Sequence, residues 1–149
     1  MDVRDNILPF ILLFFVIFTN SCADQSGRMI LNKIAFSVKD GDRITLSDFT
    51  NFEWDNVILC NPGTSLKEYE RFLGPVKFED FDLKEVIIFR KGETVVKVIK
   101  RNYHPEKYSR VEFFISTNSY IILNKNEAVF DVVKELDHVE LSPVGGGAE

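Results

Sequence analysis

The chain lacks most of the residue patterns that reaction chemistry requires. It contains two cysteines and two histidines, and neither His104 nor His138 stands in a His-x-x-His or Glu-x-x-His pattern. No G-x-S-x-G motif, phosphate-binding glycine loop or dinucleotide fingerprint occurs. The net charge is −5, and no basic stripe is present of the kind that nucleic-acid partners require. These absences predict a protein with no catalytic residues, no metal, no cofactor and no nucleic-acid partner.

The longest apolar run is too short to cross a membrane. Residues 7–18 are apolar apart from Pro9, whereas a membrane-spanning helix needs roughly 20 apolar residues. A run of this length fits the hydrophobic region of a secretory signal peptide. We therefore predict a signal peptide over residues 1–21 and export from the cytoplasm.

The junction that follows resembles a lipobox, the processing site of bacterial lipoproteins. Ser21 is the small residue directly before Cys22, although Thr19 stands where leucine is usual. The resemblance implies a lipid on Cys22 that anchors the protein to a bacterial membrane. The alternative is cleavage after Ala23, which would release a soluble periplasmic or secreted protein.

The remaining chain is predicted to fold as one domain. Residues 22–28 are polar and small and suit a tether, residues 29–141 form the domain, and residues 142–149 suit a flexible tail. With Cys22 lipidated or removed, Cys60 is the only thiol, so no internal disulfide can form. The predicted class is α+β, with a mainly antiparallel sheet of four to seven strands and one or two short helices.

Several local signals support this class. Ser65 and Glu68 form an S-x-x-E capping box, and Gly74 ends the helix that follows. Residues 54–60 predict a strand, and residues 85–90 and 94–100 predict a hairpin around Gly92. The first of these hairpin strands is apolar on both faces, which is typical of a central strand.

Other segments are less decisive. Residues 111–116 and 120–123 predict a second hairpin, since only three residues separate them. Residues 29–38 fit both a helix and alternating strands, and we favour a hairpin. The apolar residues of segment 128–136 fit both the helical and the strand period, so the choice between a helix and a strand is left open there.

One segment resembles a known group of proteins. In a set of small bacterial lipoproteins and secreted proteins, a Phe-x-Trp-Asp motif opens a strand that ends in a Pro-containing loop and a short helix. The matching features here are Phe52, Trp54, Asp55, Pro62 and the helix ending at Gly74. Residues 86–99 resemble the hairpin that follows in such proteins. The resemblance implies export and this fold, and it implies no activity.

A candidate interaction surface rests on aromatic and basic side chains. Trp, Tyr and Arg are the residues that most often anchor interfaces. The candidates are Trp54, Asp55, Arg101, Tyr103, His104 and Tyr108. The competing interpretation of residues 97–110 is a solvated loop, and that of Asp55 is a carboxylate that caps a turn or pairs with a nearby base.

Cys60 and the acidic residues of segment 79–82 each have a chemical interpretation and a simpler structural one. Cys60 with His104 as its base would make a nucleophile, but an isolated cysteine in a strand is typical of a small buried residue. Glu79, Asp80 and Asp82 lack the spacing of a calcium loop and suit a solvated turn.

The leading functional hypothesis is a non-enzymatic, membrane-tethered domain of the cell envelope. It would bind an unidentified envelope protein or ligand, because the chain combines an anchor, one small domain and no catalytic set. An inhibitor or immunity-type protein that blocks a toxin or hydrolase is the alternative, suggested by small size and acidity. A small hydrolase using Cys60 is the third hypothesis.

Overall fold

The computed structural model describes residues 27–102, 110–115, 119–136 and 138–145. These residues form two helices, two short 3-10 turns and eight strands. The helices are α1 (residues 27–37) and α2 (Leu66–Leu73). The strands are β1 (Arg43–Thr45), β2 (Asn56–Cys60), β3 (Lys84–Lys91), β4 (Thr94–Asn102), β5 (Arg110–Phe113), β6 (Tyr120–Asn124), β7 (Val129–Glu135) and β8 (His138–Pro143). The predicted α+β class is confirmed, with one strand more than the predicted upper limit.

The strands form two four-stranded sheets. Sheet I has the order β1-β7-β8-β5, and sheet II has the order β4-β3-β2-β6. All neighbours are antiparallel except β5 and β8, which are parallel. Among the described residues, neither helix has the length and apolar character needed to cross a membrane.

Sheet II is the central layer of the domain. Successive side chains of a strand point to opposite faces, and both faces of β2 and β3 are buried. One face packs against sheet I and α1, and the other packs against α2. The residues of the first face are Val57, Leu59, Ile87 and Phe89, and those of the second are Ile58, Cys60, Val86 and Ile88. The prediction of a central strand is confirmed.

Residues 29–37 are helical and Val38 follows the helix directly, so the predicted hairpin there is wrong. Ile30, Leu31, Ile34 and Val38 are buried on one helical face. The apparent strand alternation counted Phe36 as a core residue, but its side chain is 86% exposed. Helix α1 also includes residues 27 and 28, which were predicted to belong to the tether.

The first predicted hairpin is confirmed and the second is wrong. Strands β3 and β4 pair around Gly92, whose φ is +56°. Strand β5, in contrast, lies in sheet I beside β8, whereas β6 lies in sheet II beside β2. Val111 and Phe113 are buried in the core, where β5 pairs in parallel with β8. The short loop after β5 indicates a hairpin and does not predict this parallel pairing.

The remaining local predictions concern α2 and the last strands. The Ser65 hydroxyl accepts the Glu68 backbone N–H, and the Glu68 carboxylate accepts the Ser65 backbone N–H, so the capping box is confirmed. The segment left open at 128–136 is strand β7. Strand β8 includes Ser142 and Pro143, which were predicted to lie in the tail, and residues 146–149 lie outside the described residues.

Candidate binding cleft

Trp54 is a core residue rather than a surface anchor. It is buried, and its ring lies edge-on to Phe89 with a centroid distance of 5.2 Å. Its indole Nε1 donates to Thr50 Oγ1 at 2.9 Å, which satisfies the only polar atom of the side chain. The predicted surface role of Trp54 is therefore wrong, because the core accommodates both the ring and its donor.

Asp55 holds a turn together. Its Oδ2 accepts the backbone N–H of Gly92 at 2.8 Å. Its own N–H donates to Arg90 O, and its C=O accepts the N–H of Lys125, both at 2.7 Å. Asp55 thus ties the β3–β4 turn to the residues after β6, and the interpretation that it caps a turn is confirmed.

Arg101 is also buried, which removes it from the predicted surface. Its Nη2 forms an ion pair with Glu85 Oε2, and both side chains are largely inaccessible to solvent. Burial lowers the pKa of Arg101 to about 10, and the negative charge of Glu112 opposes this shift. The guanidinium therefore stays cationic at neutral pH. Tyr103, His104 and Tyr108 lie outside the described residues, as does Cys22.

An open cleft of about 450 Å³ lies where the edge of sheet I meets the beginning of β3. The β2–α2 loop forms one wall, and β5 with the residues after it forms another. Leu83 and Phe114 are 66% and 55% exposed, so apolar surface faces solvent inside the cleft. The lining residues are Asn61, Pro62, Leu83, Glu85, Glu112, Phe113, Phe114, Ile115 and Glu140.

Three carboxylates give the cleft its charge. The parallel register places Glu112 beside Glu140, while their neighbours Val111 and Phe113 turn into the core. Like charges side by side on a sheet destabilise it. His138 Nε2 lies 3.8 Å from Glu112 Oε2, the charge of Glu112 also acts on Arg101, and Ser142 Oγ donates to Glu140 Oε1 at 3.5 Å. The third carboxylate, Glu85, is neutralised by Arg101 as described above.

Leu83 combines strain with exposure. Its φ is +51°, a left-handed conformation that is a genuine outlier for a bulky residue. Such strain persists only where the surrounding structure imposes it, and it is concentrated at functional sites. Here it directs an exposed side chain to the rim that the cleft shares with a smaller cavity.

The smaller cavity has a volume of about 260 Å³ and lies between α2 and residues 78–83. Tyr69 lines it and is buried, and its hydroxyl has no hydrogen-bond partner among the described residues. Phe78 lines the opposite side and is exposed. With Leu83 and Phe114, Phe78 extends the exposed apolar surface across both cavities.

Cys60 does not have the surroundings of a nucleophile. It is buried in β2 and forms no disulfide. Burial, with a smaller contribution from Glu68, raises the pKa of its thiol to about 12. Since the thiolate is the reactive species, the hydrolase hypothesis loses its nucleophile at neutral pH.

The acidic residues 79–82 lie on the 3-10 turn Phe78–Asp80 and just after it. In the part of the chain that the structure describes, no three His, Cys, Asp or Glu side chains come together as metal ligands do.

The cleft was not predicted from the sequence. Its carboxylates come from β3, β5 and β8, and only the parallel pairing of β5 with β8 brings two of them together. An exposed apolar surface enclosed by acidic side chains is suited to bind an apolar group that carries a positive charge. Comparisons of the chain with protein-family models, curated proteins and solved structures gave no match. The resemblance of residues 52–74 to small lipoproteins therefore stays a prediction.

Proposed function

We propose that this protein is an exported, lipid-anchored domain of the bacterial cell envelope that binds a partner without catalysing a reaction. The observation that carries this proposal is the apolar surface of Leu83 and Phe114 inside an acidic cleft. Exposed apolar surface with a polar rim is the usual sign of a binding site. The raised pKa of the Cys60 thiol also supports a non-catalytic role.

The partner that fits the cleft has apolar and cationic groups close together. An apolar side chain would cover Leu83 and Phe114, and a lysine or arginine beside it would neutralise the pair formed by Glu112 and Glu140. Glu112 pairs with His138 at a distance of 3.8 Å, which is long for an ion pair. Binding would therefore both bury apolar area and relieve the repulsion between the two carboxylates.

The cleft can be tested by crosslinking and capture from cell envelopes. We expect the intact protein to recover a reproducible partner, and Phe114→Ser and Glu112→Gln to reduce that recovery. Ile122→Ser is the matched control, because it removes an exposed apolar side chain from β6, outside the cleft. Equal recovery by all variants, or no reproducible partner, would contradict the proposal.

The identity of the partner decides between two forms of the function. A toxin or hydrolase that loses its activity in the complex would establish the inhibitor alternative, which the acidic cleft accommodates equally well. A structural envelope protein or small envelope ligand would support a binding role alone.

The anchor has a separate test. Lipidation of Cys22 predicts that Cys22→Ala abolishes metabolic labelling with a fatty acid and moves the protein out of the membrane fraction. Unchanged fatty-acid labelling of this variant would exclude the anchor and leave the cleft unaffected.

A further inference from the structure

The outward face of α1 carries two large apolar side chains. Met29 is 66% exposed and Phe36 is 86% exposed. They are seven residues apart, which places them within about 20° of each other around a helix of 3.6 residues per turn. Single exposed apolar residues are common on protein surfaces, but these two form the centre of one helical face.

Basic and neutral polar residues flank this pair. The other exposed residues of α1 are Arg28, Asn32, Lys33 and Ser37, so the face contains two bases and no acid. Lys33 lies to one side, where its Nζ donates to Asp48 O at 2.9 Å. An apolar centre with basic edges is typical of helices that lie in the interface of an anionic membrane.

The orientation of α1 is fixed by its packing. Its opposite face is buried in the core through Ile30, Leu31 and Ile34. Its first turn lies directly on β4, where a Cβ on Gly27 would come within 2.9 Å of Ile99 Cγ2. The helix therefore cannot rotate to bury Met29 and Phe36, and any cover for these side chains has to come from outside the domain.

The position of the anchor identifies that cover. Cys22 is five residues before Gly27, and five residues span at most about 18 Å when fully extended. A lipid on Cys22 would hold the beginning of α1 within this distance of the bilayer. We propose that the outward face of α1 lies on the membrane surface, with Met29 and Phe36 inserted among the lipid headgroups. This inference rests on the proposed lipidation of Cys22.

In the proposed function, the lipid on Cys22 already holds the protein at the membrane. The face of α1 supplies apolar and basic contacts, and it also fixes how the domain is oriented. A tether alone would leave the domain free to rotate above the membrane.

The test uses the full lipidated protein in vesicles of phosphatidylethanolamine and phosphatidylglycerol, with a polarity-sensitive dye on a Phe36→Cys variant. Cys60 is buried and does not compete for the dye. A spin-labelled lipid in the headgroup region should quench this dye at least about twofold more than a dye on Ile122→Cys. Ile122 is the matched control because it is half exposed and pairs with Ile58 on the α2 side of sheet II, opposite to the side that packs against α1.

The outcomes separate this inference from the proposed function. If the lipidated protein is bound to the vesicles but the two dyes are quenched equally, α1 does not lie on the membrane and the anchor still stands. If quenching at position 36 requires native envelopes and is missing in protein-free vesicles, the face binds a protein and the inference is overturned. A Met29→Asp variant of the dye-labelled protein should lower quenching at position 36 without releasing the anchored protein.

Discussion

The strain at Leu83 gives the sharpest test of the cleft, because the chain offers a matched control for it. Leu83 and Leu136 have nearly equal left-handed φ values of +51° and +49°. They differ in environment, since Leu83 lines the cleft and Leu136 is 99% exposed in a turn. Replacing each by glycine removes the same strain from two different places.

The expected change in stability follows from three terms. A left-handed conformation costs an L-residue about 1–2 kcal/mol, and replacement by glycine removes this cost. Glycine in turn lowers stability by roughly 0.5–1 kcal/mol, because it has greater conformational freedom in the unfolded chain. Leu136→Gly should therefore raise the free energy of unfolding by about 0.5–1 kcal/mol. Leu83 is one-third buried, so Leu83→Gly also loses roughly 0.5–1 kcal/mol of apolar burial. Its net effect should be close to zero.

The assay combines urea unfolding with partner capture. Both variants should unfold cooperatively, and only Leu83→Gly should lose the captured partner. A loss of more than about 2 kcal/mol in Leu83→Gly would show that Leu83 is a structural residue. Unchanged capture by Leu83→Gly would refute the assignment of the cleft, and a destabilised Leu136→Gly would refute the strain argument itself.

Further predictions concern buried and capped groups. The pKa of Cys60 rises from an ordinary 9.0 to about 12, and that of Tyr69 from 10.0 to about 12, mainly through burial. The unfolded chain therefore loses these protons first, and stability should fall by roughly 1.4 kcal/mol per pH unit for each group, above pH 9 for Cys60 and above pH 10 for Tyr69. Urea titrations at several pH values should show this slope, and the double variant Cys60→Ala, Tyr69→Phe should lose it. An unchanged slope in the double variant would contradict the reasoning. Ser65→Ala should cost about 0.5–2 kcal/mol by removing the helix cap, and unchanged unfolding would contradict the capping role. Glu85→Gln leaves the Arg101 guanidinium without its carboxylate, which should cost about 3–5 kcal/mol in the same measurement, and a loss below about 1 kcal/mol would indicate an effectively solvated pair.

The sequence predicted those parts of the fold that depend on neighbouring residues. The capping box of α2 involves two side chains three residues apart, and the β3–β4 turn needs one glycine with positive φ. Each of these features is complete within a short segment, so the local pattern determines it. The central position of β3 was also predictable, because a strand that is apolar on both faces must be covered on both.

The failed predictions depend on contacts between distant segments. Strand β5 pairs with β8 in parallel, although Val111 and Val139 are far apart in sequence. No local pattern distinguishes this from a hairpin with β6. Similarly, Phe36 looks like a core residue by type, and only the packing of α1 shows that it faces outward.

The candidate site was missed for the same reason. The predicted surface relied on residue types that favour interfaces, and the fold buries two of these residues, Trp54 and Arg101. The cleft instead uses glutamates and a leucine, which are common everywhere on protein surfaces. Only the register of β5 and β8 makes Glu112 and Glu140 neighbours. The strain at Leu83 is visible only in its backbone geometry and leaves no sign in the sequence.

The cleft and the beginning of α1 are close to each other along β4. Gly27 packs on Ile99, and Arg101 lies two residues further along the same strand, a separation of about 6.6 Å on one face of the sheet. Arg101 in turn holds Glu85 at the wall of the cleft. A lipid anchor before α1 would therefore keep the charged wall of the cleft near the bilayer. Anionic lipids concentrate basic segments at that surface, so a cationic partner would be enriched where the cleft can bind it.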